Sequence, residues 1–387
     1  MLSALAGYLI AASVQDSPRL RTILPNGAVV FAERFPGEKR LSVQLFASSR
    51  GVEETPATHG FRHLLEHLIL SGPDGKLDEE CESKGLFITG RTFRDAMQFE
   101  VYAPKDGLAT ALEAIQAVLT PRRIDAGSIA RECSIMAQEF AIQPDSARLG
   151  RALWTAAYGE EGLDPFGSLE AMGKATPEDL ARIRDLQFRP SNLVLSITGD
   201  IDIDAATRSA RKVLEGLADR KWPSAPARKA GKAGRVEVED AFGEARGARV
   251  PGFREPETAA TLCAAFGIAS QFPTSFVTYT PSMQPGLVML GRTDEPSGVG
   301  TYIDGADESE VARLFTIGKN LARSWWKSQM GTPSGNAYLR GFLYVMAAGN
   351  RPDGLGEAIE GVDWPAFSAA FARFKVDSAV SAVGMRR

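Results

Sequence analysis

His63-Leu64-Leu65-Glu66-His67, inside the run His59-Gly60-Phe61-Arg62-His63-Leu64-Leu65-Glu66-His67-Leu68-Ile69-Leu70, decides how this chain is read. At a helical step of about 100° per residue, His59, His63, Glu66 and His67 fall on one arc. Phe61, Leu64, Leu65, Leu68 and Ile69 share the other. Histidines at i and i+4 lie one turn apart, so their imidazoles can converge on one metal ion with the intervening carboxylate beside them. The chain of 387 residues holds three histidines, all between positions 59 and 67, which argues against scattered solvated ones.

A catalytic zinc needs a third protein ligand and an open position. The segment from Asp125 to Phe140 reads as a helix, with Asp125 as N-cap and Ile129, Ile135, Met136 and Phe140 as apolar positions. Glu132 and Glu139 lie two turns apart and share a face, which the residues alone leave open as a solvated surface or a ligand face.

Further landmarks are Leu24-Pro25-Asn26-Gly27 before Ala28-Val29-Val30-Phe31, Gly51-Val52-Glu53-Glu54, Asp164-Pro165-Phe166-Gly167, and the run from Ser191 to Asp200. With the histidine motif they resemble the pitrilysin/insulinase family of inverted-motif zinc peptidases, which includes mitochondrial processing peptidase and bacterial relatives. The resemblance is close over about residues 20–220 and looser beyond. It implies an α+β fold of two similarly folded halves, each an antiparallel sheet packed with helices. It implies His63, His67 and Glu139 as ligands of one Zn2+ per chain, Glu66 as general base, and Glu132 as a supporting carboxylate. An extended peptide would dock on a sheet edge at Phe87, Thr89 and Gly90. The family usually has Asn-Ala where this chain has Thr89-Gly90, which leaves the docking mode and cleavage preference open.

The function so implied is a zinc-dependent endopeptidase that hydrolyses extended or unfolded peptides by Glu-assisted attack of zinc-bound water. Two other classes stand beside it. One is a non-catalytic interaction subunit, whose usual sign is a damaged motif; the other is a zinc hydrolase of a non-peptide substrate. In the family's carboxyl-terminal half an Arg and a Tyr hold the substrate backbone. The matching segment, Gln271 to Tyr279, puts Phe276 at the Tyr, with Ala269 near the Arg position. A companion subunit of the same family is therefore expected to supply both, with a homodimer, or donors among Arg323, Arg340, Tyr338 and Tyr344, as alternatives.

Composition bounds the rest. With 44% hydrophobic and 24% charged residues the chain reads as an ordinary globular protein, and a net charge of −4 without a basic stripe disfavours nucleic acid as a partner. Cys81, Cys133 and Cys263 form neither a disulfide framework nor a thiolate metal site. Residues 1–16 are apolar and small, and Ala11-x-Ser13 suits a signal peptidase, although no Lys or Arg precedes Arg19. They read as a signal peptide or a disordered terminus, too short for stable membrane insertion. A periplasmic or secreted location is expected, with a cytoplasmic one as the alternative. The expected division is a peptidase half at 17–220, a Pro/Ala/Gly-rich basic linker at 221–235, and a shorter related half at 236–387. No repeat is visible at residue level.

Overall fold

The computed structural model describes residues 19–49, 54–72, 76–218, 229, 231, 234–282, 284–346 and 354–385. The expected leader at 1–16 lies outside the described residues, as does all of the expected linker except Lys229, Gly231, Gly234 and Arg235. The chain first forms β1 (Arg19–Ile23), β2 (Val29–Arg34), β3 (Arg40–Ser48), α1 (Phe61–Ser71), α2 (Leu77–Ser83), β4 (Phe87–Thr92) and β5 (Ala96–Pro104). Helices α3 (Leu108–Leu119), α4 (Ala126–Ala141), α5 (Asp145–Tyr158), α6 (Leu169–Met172) and α7 (Pro177–Gln187) follow, then β6 (Leu193–Gly199) and α8 (Ile203–Leu214). The second half runs β7 (Gly234–Val238), β8 (Phe242–Val250), α9 (Pro256–Ala269), β9 (Ser275–Thr278) and β10 (Gly286–Arg292). It continues with α10 (Val299–Gly305), α11 (Glu308–Met330), α12 (Pro333–Met346), α13 (Gly354–Gly361), α14 (Trp364–Ala372) and β11 (Val380–Met385).

The strands sort into two sheets, ordered β1-β2-β6-β3-β5-β4 and β7-β11-β8-β10-β9. Leaving β1 aside, the two orders match strand for strand, and so do the pairing senses. The pairs β2–β6 and β7–β11 are parallel, and the others are antiparallel. The repeat absent from the residues is thus present in topology. Each sheet departs from all-antiparallel pairing once, because its closing strand returns from a long helical excursion, the kind of connection that permits a parallel neighbour.

Alternation along each strand gives both sheets two apolar faces. In β2, Val30 and Ala32 join a core with Leu64 and Leu65 of α1 and Ile115 of α3. Val29 and Phe31 of the same strand face the other way, joining Phe46, Val194, Phe342 and Tyr344. That second face is covered by α12, which comes from the other half. Reciprocally, α5 of the first half lays Leu149, Leu153, Trp154 and Ala157 on Ala245, Leu287, Met289 and Val380 of the second sheet. The halves exchange a helix.

A polar cluster seats the start of α12. Glu100 Oε1 accepts from Ser42 Oγ at 3.0 Å, Gln44 Nε2 at 2.9 Å and Ser334 Oγ at 2.6 Å. Farther along, Gly341 lets the helix approach closely: a Cβ there would lie 2.3 Å from Phe46 Cε2, a ring fixed in the core. Gly341→Val is therefore expected to destabilise the protein by about 3 kcal/mol through overpacking, read as a lowered urea midpoint.

Candidate metal centre

Helix α1 begins at Phe61, after Gly60 turns the chain at φ 94°. The turn has a steric reason, since a Cβ on Gly60 would lie 2.7 Å from Gly167 Cα. His59 consequently lies off the helix and not on the arc with His63, Glu66 and His67, and its Nε2 meets the Asp164 carbonyl at 2.6 Å. The apolar side of α1 (Phe61, Leu64, Leu65, Leu68 and Ile69) is buried in the core of the first half. The buried Arg62 pins the start of the helix, donating to Ser49 Oγ and the Phe93 carbonyl and pairing with Glu54 Oε2 at 3.1 Å.

Facing α1 is α4. Asp125 caps it, accepting from the Ser128 amide, while Ile129 and Met136 are buried in the core. That register turns Glu132 and Glu139 toward the histidines. Glu139 Oε2 lies 3.9 Å from His63 Nε2 and 3.6 Å from His67 Nε2. One donor atom from each of His63, His67 and Glu139 can be chosen so that all lie within 4.8 Å of one another. Ligands at about 2.0–2.2 Å from a tetrahedral zinc would sit roughly 3.3–3.6 Å apart, so a slight contraction closes this triad on the ion.

The surroundings of each ring suit the same donors. His63 Nδ1 lies 2.9 Å from the Phe166 carbonyl, a distance that fits an N–H donor and leaves Nε2 with its lone pair toward Glu139. Burial pushes the His63 pKa down to about 4, so the ring is neutral, the form that ligates. His67 Nδ1 lies 3.6 Å from Glu132 Oε2. Burial disfavours the charged His67 ring, but Glu132, Glu66 and Glu139 outweigh it and raise its pKa in the metal-free chain. Burial likewise pushes Glu132 up, and its bonds to His67, Ser71 and Arg131 overcome that and hold it below the usual range. A proton on His67 thus answers the crowd of carboxylates, a task a dication would take over. The donor set, its neutral His63 and its acidic surroundings fit zinc.

Glu66 sits on the next position of α1, pressed against β4. Its Oε2 accepts from Thr92 Oγ1 at 2.8 Å, and its Oε1 occupies the space a side chain at position 90 would need, since a Gly90 Cβ would fall 2.5 Å from it. Burial raises the Glu66 pKa to about 7, with His67 and the Thr92 bond working against the rise. Strand β4 is the edge of the first sheet, and Phe87 on it is 57% exposed. Thr89 is half-buried and faces away from α1, so it lies off the Glu66 pocket. Sequence reasoning missed Thr92 and the Phe166 carbonyl. Period-two spacing from Gly90 could have found the first; the second is a backbone group with no residue signature.

Helix α9 takes the topological place of α1 in the second half and carries none of this chemistry, being buried along its length by Ala, Leu, Cys and Thr. Phe276, expected near a substrate-holding position, packs against the α5 cluster.

Residues 29–164 match the family model described as Insulinase (Peptidase family M16), a span that contains both α1 and α4. A probable mitochondrial-processing peptidase subunit beta of Schizosaccharomyces pombe is 25% identical over 204 residues, 51% of this chain and 45% of that protein. An uncharacterized zinc protease of Streptomyces coelicolor is 24% identical over 233 residues, 56% of this chain and 51% of that protein. The matches therefore span about half the length of these curated relatives. Among solved structures, a protease from Helicobacter pylori superposes with a TM-score of 0.81 at 15% identity, covering 96% of this chain and all of that one. The first half of the periplasmic protease PqqL from Escherichia coli gives 0.68 at 14% identity, covering 95% and 92%. The match to peptidase family M16 thus lies over the segment that holds the motif helix and its partner helix, on a two-halved fold shared with solved M16-like peptidases.

Proposed function

We propose that this chain is a zinc-dependent endopeptidase acting on extended or unfolded peptides, with His63, His67 and Glu139 as ligands and Glu66 as general base. The observation that carries it is the convergence of the three donors within 4.8 Å, with the Glu66 carboxylate buried beside them. When bound, zinc supplies Lewis acidity that polarises the peptide carbonyl and makes water a better nucleophile. Glu66 takes a proton from that water on Oε1, the oxygen not engaged by Thr92, and returns it to the departing amine as the C–N bond breaks. Burial makes it a stronger base than an exposed carboxylate. Glu132 steadies His67 and keeps its Nε2 turned to the metal side. The free edge of β4 gives an extended peptide a strand to pair with, so that main-chain bonds supply affinity.

The absence of metal-binding or positioning chemistry from α9 and β9 favours a companion chain of the same family for holding substrate. Among the described residues no helix is long and apolar enough to cross a membrane, and the neighbouring Escherichia coli protease supports a periplasmic location. The deciding experiment is hydrolysis of quenched peptides by the purified chain, with zinc measured by mass spectrometry, before and after chelation. Loss of cleavage on chelation and recovery with zinc is expected; activity on small esters alone would favour a non-peptide substrate.

Thr92 offers a finer test. Thr92→Val keeps the shape and removes the donor to Glu66, and is expected to lower kcat about tenfold at unchanged zinc content and KM. Thr92→Ser, which restores the donor, should recover most of it.

A further inference from the structure

Strand β4 presents two faces. Gly90 and Thr92 turn to α1 and Glu66, so Phe87, Thr89 and Arg91 turn to the side covered by α12. The register agrees. Arg91 is paired with Gln98, and Thr89 with Glu100, both of which belong to the polar cluster under α12. Arg91 is exposed at the free edge. Among the described residues no carboxylate pairs with it and it donates no hydrogen bond. Glu100, one register pair away, spends its Oε1 on Ser42, Gln44 and Ser334. The Arg91 charge acts at longer range on Glu66, where it works against the burial that raises that carboxyl, and on Tyr338 of α12, where it works against the burial that raises the phenol to about 12. Among the described residues, then, the Arg91 guanidinium has no ion-pair partner on the α12 side of the edge strand, and it is adjacent in sequence to the two residues that seat Glu66.

A peptide added to β4 keeps the strand's alternation. The side chain that lies beside Arg91 points to the α12 side of the strand, and its neighbours point toward Glu66. We propose that Arg91 is a specificity-determining residue that selects an Asp or Glu side chain of the substrate within a residue or two of the scissile bond. The guanidinium offers a planar fork that a carboxylate matches with two hydrogen bonds, and a neutral or basic side chain there leaves it unanswered. This inference rests on the peptidase reading for its substrate class, but its test does not need turnover.

Labelled peptides identical except for Glu, Gln or Lys at each successive position are bound to zinc-loaded Glu66→Gln and followed by fluorescence anisotropy. At one position Glu is expected to bind about threefold to tenfold tighter than Gln, with Lys weaker than both. Arg91→Gln, combined with Glu66→Gln, should bring the Glu-to-Gln ratio to about one; Arg91→Lys should retain part of it; Arg91→Glu should favour Lys. Absence of any preference, absence of peptide binding, or a preference unchanged in Arg91→Gln would overturn the proposal. So would a preference that follows a free carboxyl terminus and vanishes on amidation. If the wild-type chain cleaves no peptide while the preference still tracks Arg91, the peptidase reading fails and the selection of an acidic side chain by Arg91 stands without it.

Discussion

Purified Glu66→Gln is expected to hold zinc at the wild-type stoichiometry and to hydrolyse peptide about a thousandfold more slowly. Glu66 is not among the three converging donors, so replacing its carboxylate leaves the metal site intact. It would remove the group proposed to move the proton, and general acid–base catalysis contributes about 10²–10⁴-fold. Gln fits the same pocket and can still accept from Thr92, so a structural loss is not expected. Wild-type turnover by this variant would displace Glu66 from the role of base.

The same substitution should have an opposite effect on stability in the metal-free protein. Burial raises the folded Glu66 pKa from its ordinary value of 4.5 to about 7, so between those pH values the folded state binds more protons than the unfolded one. Stability contributed at this position therefore falls as pH rises through the window. Gln carries no such burden. Metal-free Glu66→Gln should match the wild type near pH 4 and gain on it up to pH 7, by about 3 kcal/mol at the plateau. Denaturant melts of the chelated proteins across that range give the measurement. A gain that shrank on going from pH 5 to 8 would contradict the burial described for this carboxylate.

His67→Ala is expected to abolish tight zinc binding, and with it all measurable peptidase turnover, because two remaining ligands rarely hold zinc at such a site. Glu132→Gln should be milder, weakening zinc about 10–100-fold, since it touches the metal only through the orientation of His67. Competition with a chromophoric chelator distinguishes the two. Glu139→Ala belongs with His67→Ala in this ranking; full zinc affinity in that variant would pass the ligand role to Glu132, a buried carboxylate whose Oε2 lies 3.6 Å from His67 Nδ1.

The parts of the site that could be read in advance are those set by local periodicity. The spacing from His63 to His67 and from Glu132 to Glu139 carries through directly, because both segments are regular helices with one buried face. His59 was misplaced on that same logic, since the steric demand of Gly167 on Gly60, more than a hundred residues away in sequence, ends the helix before it. Strand β8 and helix α12 are opaque for a related reason. The run Phe242-Gly243-Glu244-Ala245-Arg246-Gly247 looks like a solvated loop. Its buried Glu244 is answered by the amides of Val299 and Gly300, and its buried Arg246 by Asp304 and the Phe374 carbonyl. In α12, Gly335 and Gly341 lower helix propensity, and what holds the helix is the sheet of the other half beneath it. Partners that arrive from distant sequence leave no local signature.

The exchange of α5 and α12 also bears on how the chain is made. Synthesis proceeds from the amino terminus, so the first sheet is complete once β6 has emerged, with Phe31, Phe46 and Val194 still bare on one side. Their cover ends at Met346, about 150 residues later, which at about 5–20 residues per second amounts to roughly seven to thirty seconds of translation. During that interval the nascent chain carries an uncovered apolar surface, with His63, His67 and Glu139 already synthesised. A ribosome-associated chaperone that shields this surface, or a slow passage in an unfolded state to another compartment, would each suit a protein whose first half cannot finish folding until its second half is nearly made.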